Sequence, residues 1–283
     1  MKKRLAVILA VILLSISIFP VHVMANNGHW ETYEYEGSYY YYYVENDSLV
    51  RGWIKHNGYW YYCDPLRVEN SSYEVDGKTY YFDADGKMVT GWQYLPSQGG
   101  SYYWYYFNAS GAQMFGWQKI GAKWYYLDLS SGAMQTGWLE DGGKWYFLTS
   151  SGAMATGWQW LATKSGYGWF YFNSSGAELT GWQKIGGYWY YLNEAAYTGD
   201  LFTINGKKYL FASSGKMLTG WQKWLTDKGT TEWFYFDSSG AMYIGWLKYG
   251  GYWYYLNESM AYGGWMQING TWYQFDYNGR WIG

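Results

Sequence analysis

The chain has 283 residues, a formal net charge of −2 and aromatic side chains at 25% of its positions, including 22 Trp and 37 Tyr. This balance offers no basic patch, so it excludes the electrostatic footprint of a nucleic-acid-binding protein. Cys63 is the single cysteine and cannot form a disulfide within the chain. We expect it to be a small buried hydrophobic residue rather than a reactive thiol.

Residues 1–25 are predicted to be a signal peptide for secretion. A Lys-Lys-Arg start at 2–4 precedes an apolar run at 5–19 and the small-residue cleavage site Val-Met-Ala at 23–25. The apolar run is short for a membrane span, and no second run of this kind closes the sequence. We therefore expect a secreted chain with no transmembrane span after signal removal.

Residues 26–51 are predicted to form a degenerate capping hairpin. Its first strand contains Trp30, Glu36 and Gly37 supply the turn, and the tyrosine-rich run at 39–43 supplies the second strand. Dipeptides that tolerate positive φ between two aromatic runs are typical of a β-hairpin.

Residues 52–283 consist of tandem repeats, about eleven hairpin units of roughly 18 to 25 residues each. A Gly-Trp pair opens most units, with its Trp at Trp53, Trp92, Trp117, Trp138, Trp158, Trp182, Trp221, Trp246 and Trp265. Two intervals are double length and each contains a degenerate unit, with Ser71 and Asp200 predicted at the Trp position. Repeats of this length are typical of stacked architectures stabilised by their nearest neighbours.

Each unit has the pattern of two short strands joined by a tight turn. The predicted turns are Asn57-Gly58, Asp76-Gly77, Gly142-Gly143, Gly186-Gly187, Asn205-Gly206, Gly250-Gly251 and Asn269-Gly270. Such dipeptides adopt the positive φ angles that two-residue hairpin turns require. The flanking strands are rich in Trp, Tyr and Phe, which favour a half-buried pleated surface. Longer hairpin loops are expected at 95–102, 161–168 and 225–232.

The turn also predicts which side chains share a face. If Asn57 and Gly58 form the loop, the predicted cross-strand pairs are His56 with Tyr59, Lys55 with Trp60, Ile54 with Tyr61 and Trp53 with Tyr62. Because side chains alternate along a strand, both tryptophans of a unit then lie on one face. An isolated hairpin is marginal in water, so this face must pack against the next unit.

Stacking the hairpins front to back predicts an aromatic cage between neighbours. The Trp pair of one unit would meet the first aromatic residue after the second Trp of the next unit, as in Trp117, Trp124 and Tyr146 with Met134 nearby. Aromatic cages of this kind hold quaternary ammonium groups by cation–π attraction. The alternative is that the aromatic residues only form a packed core.

The unit resembles the choline-binding, or cell-wall-binding, repeat family of Gram-positive surface proteins and of the wall-anchoring modules of lytic enzymes. The matching segments are Gly-Trp-Gln-Lys-Ile-Gly-Gly-Tyr-Trp-Tyr-Tyr-Leu-Asn at 181–193 and Ser-Ser-Gly-Ala-Met-Ala-Thr-Gly-Trp at 150–158. The resemblance implies an all-β, left-handed solenoid of tandem β-hairpins, with no α-helical domain apart from the signal peptide. It also implies choline held between successive hairpins by two Trp of one unit, a Tyr of the next and a nearby Met.

Eight such sites follow from the resemblance and the spacing of the units. Their residues are Trp53, Trp60 and Tyr80; Trp92, Trp104 and Tyr125; Trp117, Trp124 and Tyr146; Trp138, Trp145 and Phe170; Trp158, Trp169 and Tyr190; Trp182, Trp189 and Tyr209; Trp221, Trp233 and Tyr254; and Trp246, Trp253 and Tyr273.

Some units depart from this pattern. Thr79 and Lys208 occupy the second Trp position of the two degenerate units, which therefore cannot supply a Trp pair. Gln113 and Glu178 stand where other units have Met.

No pattern in the sequence indicates an enzyme. His29 and His56 are the only histidines after the predicted signal, and no metal-ligand spacing or phosphate-binding loop is present. We therefore expect a non-enzymatic protein with no cofactor and no metal site, secreted and held non-covalently at the bacterial wall. The expected partner is the choline-bearing teichoic or lipoteichoic acid of that wall. The alternatives are a glucan-binding repeat protein, in which the aromatic faces stack on sugar rings, and an adhesin that uses the repeats as a wall tether.

Overall fold

The computed structural model describes residues 28–97, 99–226 and 229–283. The predicted signal peptide at 1–25 lies outside these residues. The described residues form strands and turns, and they contain no helix long and apolar enough to cross a membrane. The predicted all-β architecture of repeated hairpins is confirmed.

Within the described residues there are 27 strands, arranged as nine two-stranded sheets and three three-stranded sheets. The strands are β1 (His29–Tyr35), β2 (Ser38–Glu45), β3 (Ser48–Val50), β4 (Gly52–His56), β5 (Tyr59–Cys63), β6 (Ser71–Val75), β7 (Lys78–Phe82), β8 (Gly91–Pro96), β9 (Tyr102–Phe107), β10 (Gly116–Ile120), β11 (Lys123–Leu127), β12 (Gly137–Asp141), β13 (Lys144–Leu148), β14 (Gly157–Thr163), β15 (Gly166–Phe172), β16 (Gly181–Ile185), β17 (Tyr188–Asn193), β18 (Ala195–Ala196), β19 (Leu201–Ile204), β20 (Lys207–Leu210), β21 (Gly220–Leu225), β22 (Thr231–Phe236), β23 (Gly245–Tyr249), β24 (Tyr252–Asn257), β25 (Ser259–Met260), β26 (Gly264–Ile268) and β27 (Thr271–Phe275).

The two-residue turns set the register of the hairpins that contain them. Asn57 and Gly58 have φ angles of 48° and 84°, which is the pair of positive values that this kind of turn requires. The strands on either side pair as predicted, with Trp53 opposite Tyr62 and Lys55 opposite Trp60. Ile54 lies on the opposite face and is fully buried. The predicted turn and register of this unit are confirmed.

The strand register corrects the prediction of which residue occupies the first Trp position in the two degenerate units. Ser71 pairs with Phe82, as Gly52 pairs with Cys63, so Ser71 occupies the Gly position. The residues at the Trp position are instead Ser72 and Leu201. Gly-Trp spacing misplaced them by one residue, because the turn, and not the distance from the preceding Trp, determines which residues pair.

The three longer hairpin loops are shorter than predicted. In the unit at 157–180, strands β14 and β15 continue until Thr163 pairs with Gly166, so most of the predicted loop is strand. Trp160 stacks on Tyr167 across the two strands, with ring centroids 6.3 Å apart. Aromatic cross-strand pairs of this kind stabilise the extended pairing. The other two hairpins also pair beyond the predicted start of their loops, through Pro96 and Leu225.

The first hairpin has the predicted turn at Glu36 and Gly37, and β3 adds a third strand that the sequence pattern did not indicate. Tyr43 of β2 is fully buried and contacts Trp30 edge to face, with centroids 4.9 Å apart. This sheet therefore shares an aromatic core with Ile54 and Tyr61 of the next hairpin.

The chain divides into two compact units. The first comprises residues up to Gly137 together with Leu148–Met154, and the second comprises Trp138–Phe147 and Ala155–Gly283. Each contains several small cores built from successive hairpins. In the first unit one such core is Val75, Tyr80, Phe82 and Ala112, and in the second one is Leu210, Phe234 and Phe236. Burial is therefore distributed along the repeats, as expected of a nearest-neighbour architecture.

A recurring backbone hydrogen bond connects neighbouring hairpins at nine junctions. We call the position that Met88 occupies after strands β6 and β7, and its equivalent after the other hairpins, the Met position. Its N–H donates to the carbonyl at the second Trp position of the preceding hairpin, as Met88 does to Trp60 at 2.7 Å. The same bond joins Arg67 to Tyr41, Gln113 to Thr79, Met134 to Trp104, Met154 to Trp124, Glu178 to Trp145, Met217 to Trp189, Met242 to Lys208 and Trp281 to Trp253. Because both partners are main-chain groups, the bond is kept when the side chain changes.

In several places a glycine of the following unit packs directly on this Met position, as Gly111 does on Met88 and Gly240 on Met217. A Cβ added to Gly111, whose φ is +84°, would lie 2.2 Å from the Met88 sulfur, whereas one added to Gly121, with φ +62°, would meet nothing within 4 Å. We expect Gly121→Ala to cost about 1–2 kcal/mol because of its positive φ alone. Gly111→Ala should cost a further ~1–3 kcal/mol because Met88 must move.

The thermal unfolding midpoints of the two variants measure this difference. The Gly111→Ala midpoint should lie below that of Gly121→Ala. Equal midpoints would contradict the close packing of successive hairpins at Met88.

Candidate functional site

An open pocket lies between successive hairpins at the face that carries the Trp pair. The pocket beside Trp53 has a volume of about 190 Å³ and is lined by Trp53, Trp60, Tyr80, Met88, Ala109 and Ser110. The Trp53 ring stands perpendicular to Trp60 at 6.2 Å and edge-on to Tyr80 at 4.7 Å. Three aromatic rings at these angles form three walls of the pocket, and the binding role of Trp53, Trp60 and Tyr80 stays a prediction.

The same geometry recurs at the other predicted sites that lie within one compact unit. The first Trp of each pair lies within 4.8–5.1 Å of the predicted aromatic residue of the next hairpin, as in Trp92 with Tyr125, Trp138 with Phe170, Trp158 with Tyr190, Trp182 with Tyr209, Trp221 with Tyr254 and Trp246 with Tyr273. The second Trp stands at 6.2–6.5 Å from the first in the pairs Trp92–Trp104, Trp138–Trp145, Trp158–Trp169, Trp182–Trp189 and Trp246–Trp253.

The walls of the cage differ in exposure. Tyr190 is 7% exposed, whereas Trp169, the second Trp of the same cage, is 42% exposed. The second Trp of two other cages is similar, with Trp189 at 43% and Trp233 at 42%. A core residue would be covered on all sides, so the outer wall presents a free ring face to the pocket. This distribution opposes the alternative that the tryptophans only fill a core.

The predicted cage of Trp117, Trp124 and Tyr146 has residues in both compact units. Trp117 and Trp124 belong to the first unit and Tyr146 to the second. Trp117 contacts Tyr126 edge to face at 5.2 Å, and Trp124 is 41% exposed. The grouping of these three residues stays a prediction.

A third hairpin contributes to the pockets of Trp53, Trp158 and Trp182, and the sequence analysis missed it. Ser110 lines the pocket of Trp53, Ser214 that of Trp158, and Ser239 that of Trp182. Ser110 and Ser239 precede the glycines that pack on Met88 and Met217, and Ser214 precedes Gly215, which lies beside Tyr190. The recurring Ser-Gly pair was the available signal, but only the stacking of three hairpins shows that it faces the pocket.

The residue at the Met position varies from pocket to pocket. Met88 and Met217 line the pockets of Trp53 and Trp182, and Ala196 lines that of Trp158. At the last cage the Trp281 ring lies 5.9 Å from Trp246, so this position holds a further aromatic ring. The Met position therefore modifies a common cage.

The first degenerate unit leaves a larger pocket of a different character. Ser72 and Thr79 replace the Trp pair, and the pocket of about 490 Å³ is also lined by Tyr81, Leu95, Pro96, Ser97, Gly99, Tyr105, Phe107, Gln113, Phe115, Ser130 and Ser131. The Gln113 side-chain amide donates to the Ser131 carbonyl at 2.9 Å. Hydroxyl and amide groups thus replace the cage walls.

The second degenerate unit has an ion pair at the equivalent place. The Lys208 ammonium lies 3.0 Å from the Glu258 carboxylate, and both side chains are exposed. An exposed pair of this kind contributes little stability. Lys208 supplies no cage wall, as predicted.

Glu178 places a carboxyl group at the Met position of the hairpin that follows Trp138 and Trp145. Its N–H donates to the Trp145 carbonyl, as the N–H of Met217 does to Trp189. Burial raises the pKa of Glu178 above its ordinary value. The protonated form is therefore favoured in the folded protein relative to the unfolded chain.

The structure also places the cysteine and the two histidines of the described part of the chain. Cys63 is fully buried, and burial raises the pKa of its thiol to about 12, which supports the predicted role as a small hydrophobic residue. His56 Nδ1 lies 3.1 Å from the Tyr43 hydroxyl, and His29 contacts Glu31. Among the described residues, no group of three or more His, Cys, Asp or Glu could hold a metal ion.

The fold and the pockets define a class of protein: an all-β repeat protein with open aromatic pockets between successive hairpins. The choline-binding repeat profile matches residues 70–114, 101–136 and 114–158. The putative cell wall binding repeat profile matches residues 52–65, 180–195, 201–217, 219–242 and 244–259. The chain belongs to the family of choline-binding, cell-wall-binding repeat proteins.

Solved structures of Streptococcus pneumoniae proteins resemble this chain. CbpJ of strain TIGR4 is 28% identical with a TM-score of 0.62, and the match covers 90% of this chain and 100% of CbpJ. Choline binding protein F in the presence of a peptidoglycan analogue is 28% identical with a TM-score of 0.58, covering 90% and 99%. A second crystal form of that protein is 30% identical with a TM-score of 0.53, with the same coverage. No curated protein sequence matches the chain.

The raised pKa of Glu178 predicts that Glu178→Met increases the stability of the folded protein by an amount that depends on pH. Above the folded-state pKa the parent protein holds an ionised, partly desolvated carboxylate, whereas below the ordinary value of 4.5 the group is neutral in both states. The variant should therefore unfold at a higher temperature than the parent at pH 7, and the difference should shrink as the pH falls through the raised folded-state pKa towards 4.5.

Gln113→Met is the matched control, since it changes the same position without a titrating group. Its effect on the unfolding midpoint should not vary with pH. An effect of Glu178→Met that is equally independent of pH would contradict the prediction.

Proposed function

We propose that this protein is a non-enzymatic, secreted cell-wall-binding protein that attaches to choline residues of teichoic or lipoteichoic acids. The observation that carries the proposal is the recurring cage of three aromatic rings with one exposed wall, as in Trp182, Trp189 and Tyr209. Family membership supports the same ligand. The predicted signal at 1–25 supports export, and retention at the wall would then be non-covalent.

The chemistry of the cage suits a quaternary ammonium group. The rings offer their negative faces to the cation, while the methyl groups of choline remove apolar ring surface from water. In the pocket of Trp182 the lining is Trp182, Trp189, Tyr209, Met217 and Ser239, which carries no formal charge. Selection would therefore rest on cation–π attraction and shape, and no counter-ion is needed.

Binding at one cage is weak, and binding of the polymer is strong. Three aromatic contacts of about 0.5–1 kcal/mol each, with burial of the methyl groups, correspond to millimolar affinity for free choline. A polymer that bears many choline residues engages several cages at once, and each further contact is intramolecular. Repetition along the chain thus converts weak sites into firm attachment.

Trp189→Ala tests the cage directly. Removing one cage wall should weaken choline binding at the Trp182 site by roughly 2- to 30-fold, because one cation–π contact is lost. The Trp182 indole N–H signal in a two-dimensional NMR titration reports this site, and the Trp158 signal reports an intact one. The titration also measures affinity, which should be millimolar in the parent protein.

Lys208→Ala is the matched control, because Lys208 stands at the same position of a unit without a Trp pair. It should leave the responses of Trp158 and Trp182 unchanged. The assignment of the cage would be refuted if Lys208→Ala lost a choline response while Trp189→Ala kept all of its choline responses. Sub-micromolar affinity for free choline, or no response at all, would refute the proposed ligand.

A neutral glycan is a second candidate ligand at one place, the pocket of about 490 Å³ in the first degenerate unit. Its lining has hydroxyl groups at Ser72 and Thr79, an amide at Gln113 and a tyrosine ring at Tyr105, and the described lining residues include no carboxylate, lysine, arginine or histidine. Hydroxyl and amide groups beside aromatic rings suit a sugar, whereas the missing Trp pair makes the pocket a poor cage for ammonium. This pocket supports the glucan alternative.

A titration with a neutral gluco-oligosaccharide tests this pocket. The side-chain amide signal of Gln113 should shift with the sugar and not with choline, and Thr79→Trp should abolish the shift by filling the pocket. A sugar response at the cage indoles with none at Gln113 would contradict this assignment.

A further inference from the structure

The first three-stranded sheet carries a group of aromatic residues built like the predicted cages. Trp30 of β1 pairs with Tyr43, as Trp53 pairs with Tyr62 in the next hairpin. Tyr41 follows at the second Trp position, because its carbonyl accepts the N–H of Arg67, as the Trp60 carbonyl accepts that of Met88. The sheet therefore presents Trp30 and Tyr41 where later hairpins present a Trp pair.

The next hairpin supplies the third wall. Tyr61 lies edge to face with Trp30 at 5.0 Å, which is close to the 4.7 Å between Trp53 and Tyr80. Tyr61 is 6% exposed and Tyr80 is 8% exposed, so both form the buried wall of their group. Trp30, Tyr41 and Tyr61 thus reproduce a cage in which Tyr replaces the second Trp.

A cation of the chain itself lies among these three rings. The central guanidinium carbon of Arg67 is 4.1 Å from the ring centroid of Tyr41, 5.0 Å from that of Trp30 and 6.0 Å from that of Tyr61. All three distances are within cation–π range. Arg67 occupies the Met position of its unit, so its side chain enters the cage from the place that Met88 occupies in the next one.

A carboxylate and the following unit hold Arg67 in place. Arg67 Nε donates to Glu69 at 2.7 Å, and a second guanidinium nitrogen lies 2.6 Å from the same carboxylate oxygen. The Arg67 side chain is only 12% exposed. A Cβ added to Gly86 would lie 2.6 Å from Arg67 Cδ, which shows how closely the next turn covers the side chain.

We infer that Trp30, Tyr41 and Tyr61 form a further aromatic cage that the chain fills with its own Arg67 guanidinium, so that this cage accepts a methylated ammonium ligand only when Arg67 is replaced. The internal cation is tethered, hydrogen-bonded and present at every moment. A free ligand of millimolar affinity cannot compete with a group whose effective concentration is set by the chain. The first sheet is therefore joined to the repeats without any ligand.

Arg67→Met tests the inference, because Met is the residue that later units carry at this position. The inference rests on the proposed function, so the same titration follows two indole signals, Trp30 for this cage and Trp53 for the neighbouring open cage. In the parent protein, choline should shift the Trp53 signal and leave Trp30 unmoved. In Arg67→Met both signals should move, with midpoints in the same millimolar range.

Arg51→Met is the matched control, since Arg51 is an arginine whose partner is Asp64 at 3.6 Å, outside the three rings. Its Trp30 signal should remain insensitive to choline. A Trp30 signal that stays unmoved in Arg67→Met while Trp53 moves would overturn the inference and leave the proposed function standing. Failure of Trp53 to move in the parent protein would reject both.

A measurement on the unmodified protein covers the case in which Arg67→Met does not fold. Ring currents of Tyr41 and Trp30 should displace the Arg67 side-chain proton signals upfield from their usual positions. Signals at the positions of a solvent-exposed arginine would overturn the inference.

Discussion

The constraint on which the structure depends is the two-residue turn with positive φ at both of its residues. At Asn57 and Gly58 this turn sets the pairing of the whole hairpin, because strands joined so tightly have only one register. That register places Trp53 and Trp60 on one face and Ile54 on the other. A slip by one residue would exchange the two faces, and the cage and the core would be lost together.

Stability and binding share the same strand. The strand of the second Trp presents its side chain to the pocket, while its carbonyl accepts the hydrogen bond from the following hairpin. A ligand between two hairpins therefore adds to the neighbour contacts that already hold the repeats together. In such an array, ligand binding to the folded state raises stability locally at each occupied junction.

One position in each repeat gives the pockets their different chemistry. Its backbone bond is the same whether the side chain is Met88, Gln113, Glu178, Arg67 or Trp281. Because the main chain carries the structural connection, the side chain is free to vary with little effect on stacking. The result is a series of related pockets with an apolar, an amide, an acidic, a self-filled and a fully aromatic form.

The sequence by itself determined the repeats, the turns and the shared face of the two tryptophans, since these depend on residues close together in the chain. It misplaced the Trp position of the degenerate units at Ser71 and Asp200, because the spacing of the Gly-Trp pairs does not determine which residues pair across the strands. Only the tertiary structure decided that Ser110 of a third hairpin lines the pocket and that Arg67 lies among Trp30, Tyr41 and Tyr61. The physical reason is that contacts between hairpins depend on how the hairpins stack, which local turn chemistry does not specify.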